Sequence, residues 1–314
     1  MELKNMPEIV ITEFMDEAAI REILAGRNVL YDPQLVDRPD DLLAQIGDAR
    51  ALIVRNRTQV RGALLEAASK LEVVGRLGVG LDNIDVEACQ ARGIAVHPAI
   101  GANDLSVAEY VITAALVLLR RAWTATPEVV AGKWPRMTTI GREISGKTLG
   151  LIGLGNIARE TATRARALGM QVAAFDPLLA ADHPAWQLAK PCSLKELLSA
   201  SDVVSLHVPL LPSTKNMIGR EQLAMMRRGG VVINAARGGV LDEDAVIASL
   251  RSGHLGGAAL DVFDTEPLDA ARGARFAGLP NLLLTPHIAG VTEESNVRVS
   301  ELIARRVLGH LSST

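Results

Sequence analysis

The chain alternates short apolar runs with amphipathic stretches of helical period, and it does so in two separate series. In the first, EIVIT (8–12), NVLY (28–31), ALIV (51–54), EVVGR (72–76) and IAVHP (94–98) are apolar and rich in β-branched residues. Helical stretches such as Asp16–Leu24 and Val60–Ala68 separate them. The second series starts at Thr148 and runs TLGLIG, QVAAFD (171–176), DVVSLHV (202–208), GGVVINA (229–235), GGAALDV (256–262) and NLLLTP (281–286). Helices are expected between these strands, for example over Asn156–Leu168 and Asp242–Ser252. Alternation of this kind demands parallel strands joined by helical crossovers, hence an α/β layer fold.

Two long helices, about Ser106–Arg121 and Thr292–His310, bracket the second series. The economical arrangement inserts one domain into another. Residues 1–101 and 288–314 form a discontinuous outer domain, and residues 102–287 form the inserted one, with linkers near Ala99–Asp104 and Pro286–Gly290. A chain of 314 residues is long enough to give each a core of its own.

Charge and composition remove several classes of function. The net charge of −3, with both signs interspersed, offers no basic stripe to a nucleic acid. The longest apolar run, Val107–Leu119, contains Glu109 and falls short of the ~18–20 residues a membrane span needs. The start reaches acidic residues too soon for a secretory signal. The two cysteines, Cys89 and Cys192, lack metal-type spacing, so the expectation is a reduced, cytoplasmic protein without a metal site.

The stretch GLIGLGNIA carries the first chemistry. Gly153 allows a tight turn, Gly155 lets a pyrophosphate approach the backbone, and Ala158 permits close packing of helix on strand. The pyrophosphate would meet the amides and positive dipole end of a helix opening at Asn156 and Ile157. Asp176 ends the next strand, where a carboxylate bonds the adenosine ribose hydroxyls and repels a 2′-phosphate. That favours NAD over NADP. Asp176 also suits a plain turn before Pro177.

Three further polar residues follow apolar strands, at the carboxyl ends where open α/β sheets bind ligands. They are Arg237 in VVINAARGG, Glu266 in ALDVFDTEP and His287 in LLLTPHIAG. Singly, each has a plain reading as a surface arginine, a solvated loop acid and a turn histidine. Together, on successive strands of a nucleotide domain, they compose a hydride-transfer site. Arginine offers a planar fork to the carboxylate of a 2-hydroxy acid. Histidine accepts the hydroxyl proton near neutral pH, and a neighbouring carboxylate orients the ring and favours its protonated form.

With these residues in place the sequence resembles the D-isomer-specific 2-hydroxyacid dehydrogenases. The resemblance rests on GLIGLGNIA with Asp176, HVPLLPSTKNMIG, NAARGGVLDEDAV, ALDVFDTEP and TPHIAG, and extends to RLGVGLDNID (76–85) and NDLSVAEYVI (103–112). It implies catalytic Arg237, Glu266 and His287, and a flavodoxin-like substrate domain split around a doubly wound Rossmann NAD domain. It also implies cofactor contacts at His207, Pro209, Thr214, Ala235, Ala236, Asp261 and Gly290, and a homodimer formed through cofactor domains.

The same resemblance gives Gly78, Val79 and Gly80 amides for the substrate carboxylate. In the phosphoglycerate dehydrogenase branch a VRS-x-T segment supplies an arginine toward the phosphate. Here VRNRTQV carries Arg55, Asn56 in place of the usual Ser, and a second cation, Arg57. Arg57 is expected either to serve a second anion on the substrate or to point to solvent. The substrate candidates are 3-phosphoglycerate and (S)-3-sulfolactate, with glyoxylate or hydroxypyruvate reduction and simple D-2-hydroxy acids as alternatives. A reading of another class, an NAD-sensing corepressor, is disfavoured because all three catalytic positions are filled.

Overall fold

The computed structural model describes residues 6–313. They separate into two compact units: one runs up to Asn103 and resumes at Val291, and the other is Asp104–Gly290. The breaks fall two and three residues later than the sequence placed them.

The amino-terminal unit holds five parallel strands: β1 (Ile9–Ile11), β2 (Val29–Tyr31), β3 (Ala51–Val54), β4 (Val73–Arg76) and β5 (Ala95–Pro98). Their spatial order is β2-β1-β3-β4-β5, the flavodoxin-like order, with its switch point between β1 and β3. The strands read as unbroken apolar runs because helices cover both faces of the sheet. Ile9, Ile11, Ile53 and Val73 pack against Val299, Ile303 and Val307 of the helix Glu293–Ser313. On the other face Val10, Leu52, Val54 and Val74 meet Leu42, Ile46, Leu64 and Leu65.

The second unit holds β6 (Thr148–Ile152), β7 (Gln171–Phe175), β8 (Lys190–Pro191), β9 (Val203–Leu206), β10 (Gly230–Asn234), β11 (Leu255–Leu260) and β12 (Leu282–Leu284). All pair in parallel in the order β12-β11-β10-β9-β6-β7-β8, which is the doubly wound Rossmann order with one strand added at the far edge. The chain reverses its direction of growth between β6 and β9. One face packs on the helices Asp104–Arg120 and Asn156–Ala167, the other on helices carrying Leu197, Leu223, Val246 and Leu250.

The helix expected over Val60–Ala68 shrinks to Ala63–Ala67. Val60 spends its backbone elsewhere, taking Asn83 O with its N–H at 2.8 Å and offering its carbonyl to Asp85 N at 3.0 Å. Gly62, at φ +50°, then starts the helix. The two-residue β8 was not foreseen, being too short to show a period. Among the described residues no helix is long and apolar enough to cross a membrane.

Candidate active site

The end of β6 has the form a dinucleotide requires. Gly153 sits at φ +91°, and a Cβ added there would come within 2.7 Å of His207 O, so only glycine fits the turn. A Cβ on Gly155 would meet nothing within 4 Å: the backbone faces open space there. The helix Asn156–Ala167 begins beside that space with no side-chain cap on its first amides. Ala158 is fully buried, as close strand–helix packing demands. These residues fit a pyrophosphate, and Asp176 stands at the end of β7 for the ribose. Its carboxylate also ties the turn, accepting Leu154 N at 2.9 Å and Leu178 N at 3.0 Å.

His207 and Pro209 follow β9. The His207 Nε2 lies 2.9 Å from Ser205 Oγ, and burial pushes the imidazole down to about 4, which keeps it neutral at working pH. Thr214 Oγ folds its own loop, donating to Pro209 O at 2.6 Å and accepting Leu211 N at 2.8 Å.

Arg237, Glu266 and His287 come together after β10, β11 and β12. The His287 Nδ1 lies 2.7 Å from Glu266 Oε2, and Glu266 Oε1 accepts Phe263 N at 2.9 Å. Burial pushes the Glu266 carboxyl up, but hydrogen bonds from His287 and Phe263 N, with the charges of His287 and Arg237, pull it below its ordinary value. Arg237 rests on a turn that Asn234 ties, with Nδ2 donating to Arg237 O at 2.9 Å and Oδ1 accepting Ala236 N at 3.1 Å. Ala235 and Ala236 lie in that turn.

His287 adopts φ +57°, a left-handed conformation that costs energy in a residue with a Cβ. Asp261 holds it there. Its carbonyl accepts His287 N at 2.8 Å, and its buried carboxylate accepts Thr285 Oγ at 2.6 Å and the amides of Ile288 and Ala289 at 2.8 Å. Tyr110 Oη, from the helix Asp104–Arg120, donates to Thr285 Oγ at 2.6 Å, because the threonine proton is committed to Asp261. The sequence singled out Asp261 for the cofactor; its role in bracing this turn, and the parts played by Thr285 and Tyr110, depend on contacts no local pattern announces.

In the amino-terminal unit the loop after β3 is organised by Glu13. Its buried carboxylate accepts the N–H groups of Arg55 (2.8 Å), Asn56 (3.3 Å), Arg57 (3.1 Å) and Thr58 (3.0 Å). The Arg55 guanidinium donates to Asn296 Oδ1 at 2.6 Å and Phe14 O at 3.4 Å. Arg57 is exposed and forms a two-pronged ion pair with Asp37. After β4, Gly78 donates its N–H to Arg76 O at 2.8 Å, and Val79 and Gly80 follow.

Residues 112–289 match the family model described as "D-isomer specific 2-hydroxyacid dehydrogenase, NAD binding domain". The chain is 52% identical over 308 residues to a protein of Chromohalobacter salexigens named (S)-sulfolactate dehydrogenase, covering 97% of this chain and 99% of that one. The chain belongs to the D-isomer-specific 2-hydroxyacid dehydrogenases. As a member of that family it is an NAD-dependent oxidoreductase. It is also 38% identical to the D-3-phosphoglycerate dehydrogenase of Methanocaldococcus jannaschii, covering 96% of this chain but only 57% of that longer relative. Among solved structures it resembles the D-lactate dehydrogenase of Aquifex aeolicus complexed with NAD and lactic acid, at a TM-score of 0.83 and 28% identity, over 97% of this chain and 96% of that one.

Proposed function

We propose that this dehydrogenase interconverts a 2-hydroxy acid carrying a second anion and the matching 2-keto acid, with (S)-3-sulfolactate as first choice and 3-phosphoglycerate as second. The observation that carries the chemistry is the 2.7 Å contact between His287 and Glu266 at the strand ends of an NAD domain. With Nδ1 committed to Glu266, Nε2 takes the hydroxyl proton on oxidation and returns it on reduction. Arg237 grips the substrate carboxylate through its planar fork. NAD, when bound, supplies the acceptor for the C2 hydrogen. Gly153, Gly155 and the opening of the helix Asn156–Ala167 hold its pyrophosphate, and Asp176 its ribose.

Arg55 serves the second anion. The near full-length likeness to a protein named sulfolactate dehydrogenase supports sulfonate over phosphate at that end. A homodimer through the cofactor domains is supported by the run of exposed apolar side chains Val130, Trp134, Met137 and Ile140. The two unpaired cysteines suit a cytoplasmic setting. The test is NADH formation with both sulfolactate enantiomers, 3-phosphoglycerate, malate, D-glycerate and D-lactate, repeated with His287→Gln. Turnover of (S)-3-sulfolactate should dominate, and the variant should lose about 100-fold or more in kcat while binding NADH normally. A variant with unchanged kcat would remove His287 from the mechanism, and preference for D-lactate would remove the second anion.

A further inference from the structure

Glu13 follows β1 and the Arg55–Thr58 loop follows β3, so both stand at the switch point of the amino-terminal sheet, where open α/β sheets receive ligands. The charges there are balanced. Four successive amides of the loop would make an anion-binding nest, but the Glu13 carboxylate already fills it. Of the two cations, Arg57 is held by both oxygens of Asp37, one of them at 3.2 Å from Nη1. Arg55 instead gives its guanidinium hydrogen bonds to neutral oxygens, Asn296 Oδ1 and Phe14 O, feels the Glu13 charge without a side-chain hydrogen bond to it, and lies over the Phe14 ring at 5.7 Å. Beside Asp37, Arg38 is itself paired with Asp32 and Asp41.

We propose that Asp37 determines specificity: by pairing with Arg57 it leaves Arg55 as the one working cation for the substrate's second anion, and so favours a monoanionic sulfonate over a dianionic phosphate. This rests on the reading that the Arg55–Arg57 loop receives that anion. A phosphate monoester carries about −1.5 to −2 charges at neutral pH and a sulfonate carries one. The repulsion from Asp37 scales with the ligand's charge. If removing the Asp37 charge improves sulfonate binding by some factor, it improves dianion binding by roughly the square of that factor. For exposed charges the factor is about two to five, so discrimination should relax by about threefold.

The test compares the full-length enzyme with Asp37→Asn, measuring KM for (S)-3-sulfolactate and the competitive Ki of 3-phosphoglycerate at about pH 8 and about pH 5.5, on either side of the phosphate's second pKa of about 6. At the higher pH the ratio of KM to Ki should rise about threefold in the variant. At the lower pH, where the phosphate approaches a monoanion, that rise should largely vanish. Sulfolactate is the internal reference, since its sulfonate does not titrate in this range. Asp48→Asn, which removes the same charge from an exposed pair with Lys70, should leave the ratio unchanged. An unmoved ratio at high pH, an equal rise at both pH values, or the same rise in Asp48→Asn would each overturn the role of Asp37 while leaving a working sulfolactate enzyme. Wild-type enzyme that turns over D-lactate but neither doubly anionic substrate overturns the underlying reading, and this proposal with it.

Discussion

Replacing Glu266 by Gln tests the proposed proton chemistry with the least disturbance of shape. The carboxylate lies 2.7 Å from His287 Nδ1, which puts the charge centres about 4 Å apart. At an effective dielectric of about 20 the attraction to an imidazolium would be about 4 kcal/mol. The two side chains are 37% and 31% exposed, so solvent screening reduces this to about 1–2 kcal/mol. Taking the hydroxyl proton during oxidation makes His287 an imidazolium, so the carboxylate's attraction is gained as the reaction proceeds. Removing the charge should therefore cost oxidation about 1–2 kcal/mol, or about 5- to 30-fold in kcat/KM, while NADH affinity stays in place. Glu266 is held below its ordinary value, so the charge that the variant removes is present at neutral pH. The assay is kcat/KM for oxidation followed by NADH absorbance, with NADH binding measured beside it. An unchanged kcat/KM, or a loss matched by a loss of NADH affinity, would refute the ion-pair reading of this contact.

The two glycines of the fingerprint should fail differently. Gly153→Ala forces a Cβ against His207 O at φ +91°, and should lower the melting temperature, by about 1 kcal/mol or more in stability. Gly155→Ala meets open space in the protein alone, so thermal unfolding without cofactor should be unchanged while NADH affinity, read by fluorescence titration, falls. Equal behaviour of the two would argue against a pyrophosphate beside Gly155. Asp176→Asn should raise kcat/KM with NADP relative to NAD by about tenfold or more, and a preference left unmoved would detach Asp176 from the ribose.

The two sheets were legible because each strand is buried on both faces and so writes an apolar run into the chain, as ALIV does for β3. The positions of Arg237, Glu266 and His287 were legible because carboxyl ends of parallel strands are where such a sheet presents polar groups. What stayed hidden is the pairing of side chains across distant segments. Glu13 meets amides more than 40 residues away, and Arg57 meets Asp37 across 20. Neither leaves a period or a spacing to read. Arg57 illustrates the consequence: its charge was visible, but whether that charge is available is decided by Asp37, on the other side of β3 in the chain.

The same distinction separates the two carboxylates around His287. Asp261 is almost wholly buried and gives its oxygens to one hydroxyl and two amides, all neutral donors that belong to the backbone path of the turn. Glu266 is about one-third exposed and gives one oxygen to a backbone amide and the other to the ring itself. The first fixes where the imidazole stands, against the cost of a left-handed backbone. The second fixes which nitrogen is free and sets a negative charge beside the ring. Because the oxygens are committed to different partners, loss of Asp261 should disturb the path of the turn and loss of Glu266 should remove the charge that steadies an imidazolium, although both acids lie on the one segment that leaves β11.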